Sequence, residues 1–293
     1  MENSKNIISF AEKLDLDFVN ISYISQEGNA RNNYNEKSVT EKEKFEFIDC
    51  VMEESKKRKS LLKLNIDSRQ LLCEYIYKKH GVEMDSTTLG CNGGMSQFYI
   101  LVDGTLLPCS PAGTSMGYSV NQTYLKEISP PNLLVNSVDE IEDSEYLAKF
   151  YNYTHNKVTY DNLKPCDNCK YDCLPCPLLY KDSRIVEECI YAKKEIEKLD
   201  RKMMERRLFI NPNIRIIATK ENPKLVDFIS QDIFELEDLG AFIWNKINGS
   251  YTGEMIVDII LSQLEKVPSK EIVKEDVLEF LYELMNLNFI QCE

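Results

Sequence analysis

Apolar residues recur at helical spacing through much of the chain and at strand spacing only in short runs. The pattern predicts an amphipathic helix around Ile7 to Leu14, an apolar strand from Phe18 to Tyr23 and a polar loop, "QEGNARNN". In "TEKEKFEFIDCVMEESKKRK", Phe45, Ile48, Val51 and Met52 share one helical face. A second helix, "DSRQLLCEYIYKKHG", has Asp67 or Ser68 available as a cap and is expected to stop before Gly81. The periodicity then fades. In "SQFYILVDGTLLPCS", Asp103-Gly104 lies between two apolar strands, a signal for a hairpin with a two-residue type I′ loop. That register pairs Val102 with Thr105, sets Phe98 opposite Cys109 and returns Cys109 towards "CNGG", which holds Cys91. Residues 121–165 read as irregular.

A charged helix, "CIYAKKEIEKLDRKMMERR", spaces Ile196, Leu199 and Met203 at helical intervals and is expected to link two domains. After it, "RLFINPNIRIIATKENPKLVDFISQDIFELE" reads as short strands broken at Asn-Pro turns. Three helices follow: "EDLGAFIWNKI", "TGEMIVDIILSQL" beyond an Asn248-Gly249 break, and "KEIVKEDVLEFLYELMN". Trp244 is read as a core residue. The expected fold class is α+β. Its parts are a helix, strand and loop over 1–40 that suit the end of a β/α barrel, a helical connection over 41–87, a cysteine-rich domain over 88–190, a helical linker over 191–206 and a small domain over 207–293.

Composition narrows the setting. With 43% hydrophobic residues the chain of 293 can bury real cores, and its net charge of −13 argues against nucleic acid or an anionic membrane as partner. No apolar run reaches the roughly 18 residues needed to cross a bilayer, and "MENSKNIISF" lacks the pattern of a signal peptide. The expected location is cytoplasmic, where thiols stay reduced and a disulfide framework is disfavoured.

That setting bears on the cysteines, seven of whose ten lie between 88 and 189. "CDNCKYDCLPCP", residues 166–177, alone holds Cys166, Cys169, Cys173 and Cys176. Thiolates separated by gaps of two and three are metal ligands, and Cys91, Cys109 and Cys189 extend the set. Iron–sulfur clusters want four thiolates each in a pocket of low solvent access, and Gly93-Gly94 permits close backbone approach beside Cys91. Paired Cys-x2-Cys motifs suit tetrahedral zinc equally, so spacing leaves iron–sulfur and zinc both open. Cys73 is a further candidate ligand or a small core residue of its helix. Cys50, Cys292, His80 and His155 are read as structural or surface residues.

Cys91, twelve residues, Gly104, four residues and Cys109, then a cysteine-rich run and a last Cys189, resemble the SPASM domain. So does "GGMSQFYILVDGTLLPC", with its internal Asp-Gly and terminal Pro-Cys. That family extends many radical S-adenosylmethionine enzymes that modify peptides, and it carries two auxiliary 4Fe–4S clusters. The resemblance implies one cluster on Cys166, Cys169, Cys173 and Cys189. It implies a second on Cys91, Cys109 and Cys176, with its fourth site open or filled from upstream by Cys73. The run departs from the family's usual Cys-x2-Cys-x5-Cys-x3-Cys, reading Cys-x2-Cys-x3-Cys-x2-Cys here.

Such enzymes build their reactive cluster on Cys-x3-Cys-x2-Cys, and this sequence has no cysteine before Cys50 and no such motif. No catalytic residue is assigned, and the chain by itself is not expected to cleave S-adenosylmethionine, which would bind only with a complete barrel. A fragment, a split enzyme whose barrel is a separate radical S-adenosylmethionine chain, and a degenerate binding protein are the open explanations. The pattern "IFELEDLGAFIWNKINGSYTGEMIVDIILSQL…DVLEFLYELMNLNFI" resembles the PqqD-like, winged-helix-like domains that bind a precursor's leader peptide in ribosomal-peptide maturation. The resemblance implies strand addition at Ile233, Phe234, Glu235 and Leu236, with the Phe234 N–H as a candidate outward donor. The leading expectation is therefore the auxiliary-cluster and leader-binding portion of a peptide-modifying enzyme. The competing one is a zinc-stabilised, non-catalytic peptide-binding adaptor.

Overall fold

A computed structural model describes residues 4–23, 39–58, 62–86, 92–109, 112, 128–155, 169–171, 173, 184–217, 222–263 and 268–293. Helices and strands mix as in an α+β protein. The chain divides into two units, Met1–Cys73 with Met84–Ala192 and Glu74–Glu83 with Lys193–Glu293. The loop "QEGNARNN" lies outside the described residues.

In the first unit, α1 (Ser4–Lys13) precedes β1 (Phe18–Ile21), and α2 (Glu41–Arg58) precedes β2 (Lys63–Ile66). The two strands pair in parallel, Phe18 beside Lys63 and Ile21 beside Ile66, which requires a crossover such as α2 rather than a hairpin. A capping box starts α2: Glu43 accepts from the Thr40 N–H and hydroxyl at 2.9 and 2.8 Å. Ile8 and Ala11 of α1 are buried, as are Phe45, Ile48, Val51 and Met52 of α2, and the two helices pack together. Strand β2 falls within a segment expected to be wholly helical. Its four residues, "KLNI", are too few to display a period against the long helices beside them. α3 (Gln70–His80) then ends at Gly81, whose φ of +66° closes the helix with a 2.8 Å bond from its N–H to the Tyr77 carbonyl.

The hairpin forms, but one residue out of the expected register. β3 (Tyr99–Ile100) pairs antiparallel with β4 (Leu106–Leu107), placing Tyr99 opposite Leu107 and Ile100 opposite Leu106. The loop is therefore Val102-Asp103-Gly104, closed by the Leu101 N–H on the Thr105 carbonyl at 2.9 Å and the Gly104 N–H on Leu101 at 3.0 Å. Gly104 has φ +84°, the left-handed position of a three-residue loop, and Asp103 Oδ1 accepts from the Thr105 N–H. Continued outward, this register sets Pro108, not Cys109, opposite Phe98.

Helices also occupy part of the stretch expected to be irregular: α4 (Val138–Glu142) and α5 (Glu145–His155). Their signal was present in Ser137-x-x-Glu140, which forms a capping box. Ile141, Tyr146, Leu147 and Phe150 from these helices cover Leu106 and Leu107 of the hairpin.

The long helix α6 (Arg184–Glu205) enters the second unit. There follow β5 (Leu208–Ile210), the meander β6 (Ile214–Ile217), β7 (Lys224–Asp227) and β8 (Ile233–Glu235), then α7 (Asp238–Trp244), α8 (Gly253–Gln263), α9 (Lys270–Asn286) and β9 (Ile290–Cys292). β9 pairs antiparallel with β5. The core gathers Met204, Leu208, Leu225, Leu236, Trp244, Ile256, Val257, Val277, Leu281 and Phe289, with Trp244 inside it as the pattern predicted. Among the described residues no helix is long and apolar enough to cross a membrane.

Candidate functional site

The cysteine site is built at the foot of the hairpin. Gly94 has φ +76°, and its N–H reaches both the Gln97 carbonyl at 3.0 Å and the Pro108 carbonyl at 2.9 Å. A Cβ at Gly94 would stand 3.3 Å from the Pro108 ring, so the turn after Cys91 lies directly against the residue before Cys109. Cys109 is half-buried and packs on the apolar cluster of Leu106, Leu107 and Phe150. Cys91, Cys166 and Cys176 lie outside the described residues.

Another cysteine of the candidate set lies on α3. Cys73 is buried, with its Sγ 3.3 Å from the Ser68 hydroxyl. Burial pushes its thiol above the ordinary cysteine value, Ser68 pulls the other way, and the charges of Cys173 and Asp85 add to the rise. Cys169 and Cys173 are half-exposed and Cys189 is buried near the start of α6. The seven described cysteines carry thiols rather than disulfides. Among the described residues no group of three or more Cys, His, Asp or Glu converges as a complete metal-ligand set. Soft thiols in a half-buried setting suit an iron–sulfur group in kind. His155 stacks on Tyr151 at 4.0 Å and His80 is buried at the end of α3. Cys50 and Cys292 are half-buried on α2 and β9.

Two functional candidates escaped the sequence reading. Lys44 and Glu188 are both buried and joined as an ion pair, with Lys44 Nζ 3.9 Å from the centre of the Tyr23 ring. Burial lowers the Lys44 ammonium to about 8, against the upward pull of Glu41, Cys189 and Asp67. The signal was available. Lys44 lies one turn before Ile48 and Glu188 one turn before Ala192, each a charge on a buried helical stripe.

At the other site, β8 is an edge of the three-stranded sheet, whose order is β6-β7-β8. Its register with β7 is Lys224 opposite Glu235, Leu225 opposite Phe234 and Val226 opposite Ile233. The Leu236 N–H bonds the Pro223 carbonyl at 2.8 Å and the Asp227 N–H bonds the Asp232 carbonyl at 3.0 Å. Antiparallel pairs alternate, so the Phe234 N–H must also turn inward to Leu225, while Ile233 and Glu235 present their backbone groups outward. This reverses the expectation for Phe234. Its ring packs towards Phe280 and Phe289, at 6.1 and 6.3 Å. Leu236 is fully buried, so both its side chain and its N–H are committed to the domain. Ile233 is 66% exposed, and Glu235 is exposed and bonded to Lys224 and Asn222.

Comparison with known proteins divides along the same line. Residues 91–170 match the family model of SPASM, an iron-sulfur cluster-binding domain. Residues 225–290 match that of PqqD, coenzyme PQQ synthesis protein D. No curated protein matches the chain. A solved structure described as "TbiB1 in Complex with the TbiA(beta) Leader Peptide" is similar over 28% of this chain and 94% of that one, at 22% identity. Its TM-score of 0.26 is too low to carry a structural argument. The chain is thus similar over 91–170 to the SPASM iron-sulfur cluster-binding domain and over 225–290 to PqqD.

Proposed function

We propose that this chain is the auxiliary-cluster and leader-binding portion of a radical S-adenosylmethionine enzyme that modifies a ribosomally made peptide. The observation that carries the reading is the joining of a SPASM match over 91–170 to a PqqD match over 225–290. The parallel β1–α2–β2 unit supports a place at the end of a β/α barrel, which would be completed by further parallel strands. Catalysis would require that barrel, and the chain alone does not cleave S-adenosylmethionine.

Two 4Fe–4S clusters are proposed, the first on Cys166, Cys169, Cys173 and Cys189, the second on Cys91, Cys109 and Cys176. Cys73 is the candidate for the open ligand position of the second cluster. When bound, such clusters accept electrons or ligate substrate. The protein's part is to supply thiolates and to keep water from them with Leu106, Leu107 and Phe150. The second domain holds the leader peptide at the outer edge of β8, where main-chain bonds give affinity and neighbouring apolar side chains give register. A cytoplasmic location suits reduced thiols.

Anaerobic reconstitution of the full chain tests the metal. It should yield roughly eight iron and eight sulfide per chain, with broad absorption in the visible, and Cys166→Ala with Cys169→Ala should remove about half of the iron. Zinc alone at full occupancy would sink the assignment.

A further inference from the structure

The outer edge of β8 is chemically uneven along its length. Residues 231–238, "QDIFELED", hold four carboxylates, at Asp232, Glu235, Glu237 and Asp238, and no Lys or Arg. Part of this charge is already engaged. Asp232 accepts from Ser230 Oγ, Glu235 is held by Lys224 at 3.3 Å and by Asn222 at 3.1 Å, and Asp238 lies in the first turn of α7, where a carboxylate suits the helix dipole. Glu237 is the N-cap residue of α7, yet its side chain makes no capping bond and stays exposed. The other end of the edge is apolar. Ile233 is exposed, and the turn that leads into β8 leaves Phe228 65% and Ile229 74% exposed. That turn is well held: the buried Asp227 carboxylate accepts from the Ile229 N–H at 2.7 Å, and its carbonyl accepts from the Gln231 N–H at 2.9 Å. Side chains two apart on a strand share a face, so Ile233 and Glu235 point to one side of the sheet and Phe234 to the other. On the side of Ile233 and Glu235 the register makes two rows, Arg215, Val226 and Ile233, then Ile217, Lys224 and Glu235. A peptide added beyond β8 extends each row by one residue, and cross-strand neighbours favour apolar contact or opposite charge.

We propose that this edge selects a leader segment in which an apolar side chain and a Lys or Arg stand two residues apart, the apolar one beside Ile233 and the basic one beside Glu235. The proposal rests on the reading of β8 as the leader-binding edge, and goes beyond it in naming the sequence that fits. Glu237 adds negative field at the basic end, and Phe228 and Ile229 extend the apolar end. Charge complementarity of this kind fixes register and suppresses wrong partners more than it adds raw affinity. Exposed charges on an edge strand also keep the sheets of different copies from pairing. Charges that served only that end would give no advantage to a basic residue at one fixed spacing from an apolar one.

The experiment selects binders to the full chain from a displayed library of short random peptides, then measures the recovered peptides by isothermal titration. They should share an apolar residue and a Lys or Arg two positions apart, and the order of the two reports the direction of the added strand. Glu235→Lys should weaken such a peptide by about tenfold, and replacing the basic residue of the peptide by Glu should restore its affinity for that variant. Ile233→Pro separates the proposal from the reading beneath it. Peptides that Ile233→Pro weakens, but that lack the pattern or ignore the sign of residue 235, overturn the proposal while the edge reading stands. Peptides that bind Ile233→Pro as well as wild type, or a library that yields no binder, overturn the edge reading and the proposal with it. Should Glu235→Lys fail to fold, Glu235→Gln keeps the shape of the side chain and decides alone: a loss of about threefold confined to the basic peptides supports the proposal, and no loss overturns it.

Discussion

Gly104 shows how one residue secures the cysteine hairpin. Its φ of +84° lies where a side chain is strained, and a Cβ there would meet Leu134 Cγ at 2.7 Å and Asn132 Oδ1 at 2.8 Å. Those neighbours lie on the strap that covers the hairpin: the Leu133 N–H bonds the Gly104 carbonyl at 2.9 Å and the Asn132 side-chain amide bonds the Asp103 carbonyl at 2.9 Å. Gly104→Ala therefore meets both a backbone penalty and a clash, together about 2–4 kcal/mol. The variant should lose iron on reconstitution and melt earlier, and an unchanged melting temperature with full iron would show that the loop can relax. The Asp-Gly pair made the turn legible in the sequence. The register was not legible, because two- and three-residue loops use the same glycine and differ by a single hydrogen-bond step. Lys44 and Glu188 were hidden for another reason: a charge on an apolar stripe reads as a helix edge until its partner, 144 positions away, is placed beside it.

At the scale of elements, β8 decides how a peptide could be added. The outward donors and acceptors belong to Ile233 and Glu235, and the inward ones to Phe234. Proline is tolerated on an edge strand where its missing N–H would have faced solvent. Ile233→Pro should therefore leave the domain folded and weaken leader binding by about tenfold, roughly 1.4 kcal/mol, close to the net value of one hydrogen bond. Phe234→Pro should instead break the ladder to β7 and unsettle the packing on Phe280 and Phe289, lowering stability before binding is measured. Isothermal titration with the cognate leader, alongside thermal melts, separates the two. Equal affinity for Ile233→Pro and wild type would place the peptide somewhere other than this edge. A short apolar run just before a helix located the strand from sequence, but not the phase of its hydrogen bonds. That phase is seen only in the bonds themselves, from the Leu236 N–H to the Pro223 carbonyl and from the Asp227 N–H to the Asp232 carbonyl.

For the whole molecule, the boundary of the second unit is a matter of where its core begins. Charge density along α6 makes residues up to 206 look like a solvated linker, and the three C-terminal helices and the strands before them were legible by period. What the period understated is the end of α6. Met203 and Met204 are 7% and 0% exposed and belong to the core of the C-terminal unit, with Leu199 packed against it. Gly253, at the start of α8, is there because α6 comes so close: a Cβ would lie 2.7 Å from Met204 Sδ and 3.1 Å from its Cα. A fragment cut at 207 discards both methionines and leaves the first turn of α8 uncovered, whereas one cut at 193 keeps them. Truncating a buried methionine costs about 2–5 kcal/mol. Residues 193–293 should therefore unfold cooperatively in urea with a midpoint well above that of 207–293, as followed by circular dichroism. Added leader peptide should raise the midpoint of the longer fragment further, since binding to the folded state alone stabilises it by mass action. Coincident midpoints for the two fragments would mean that the last turns of α6 are not part of this core in solution.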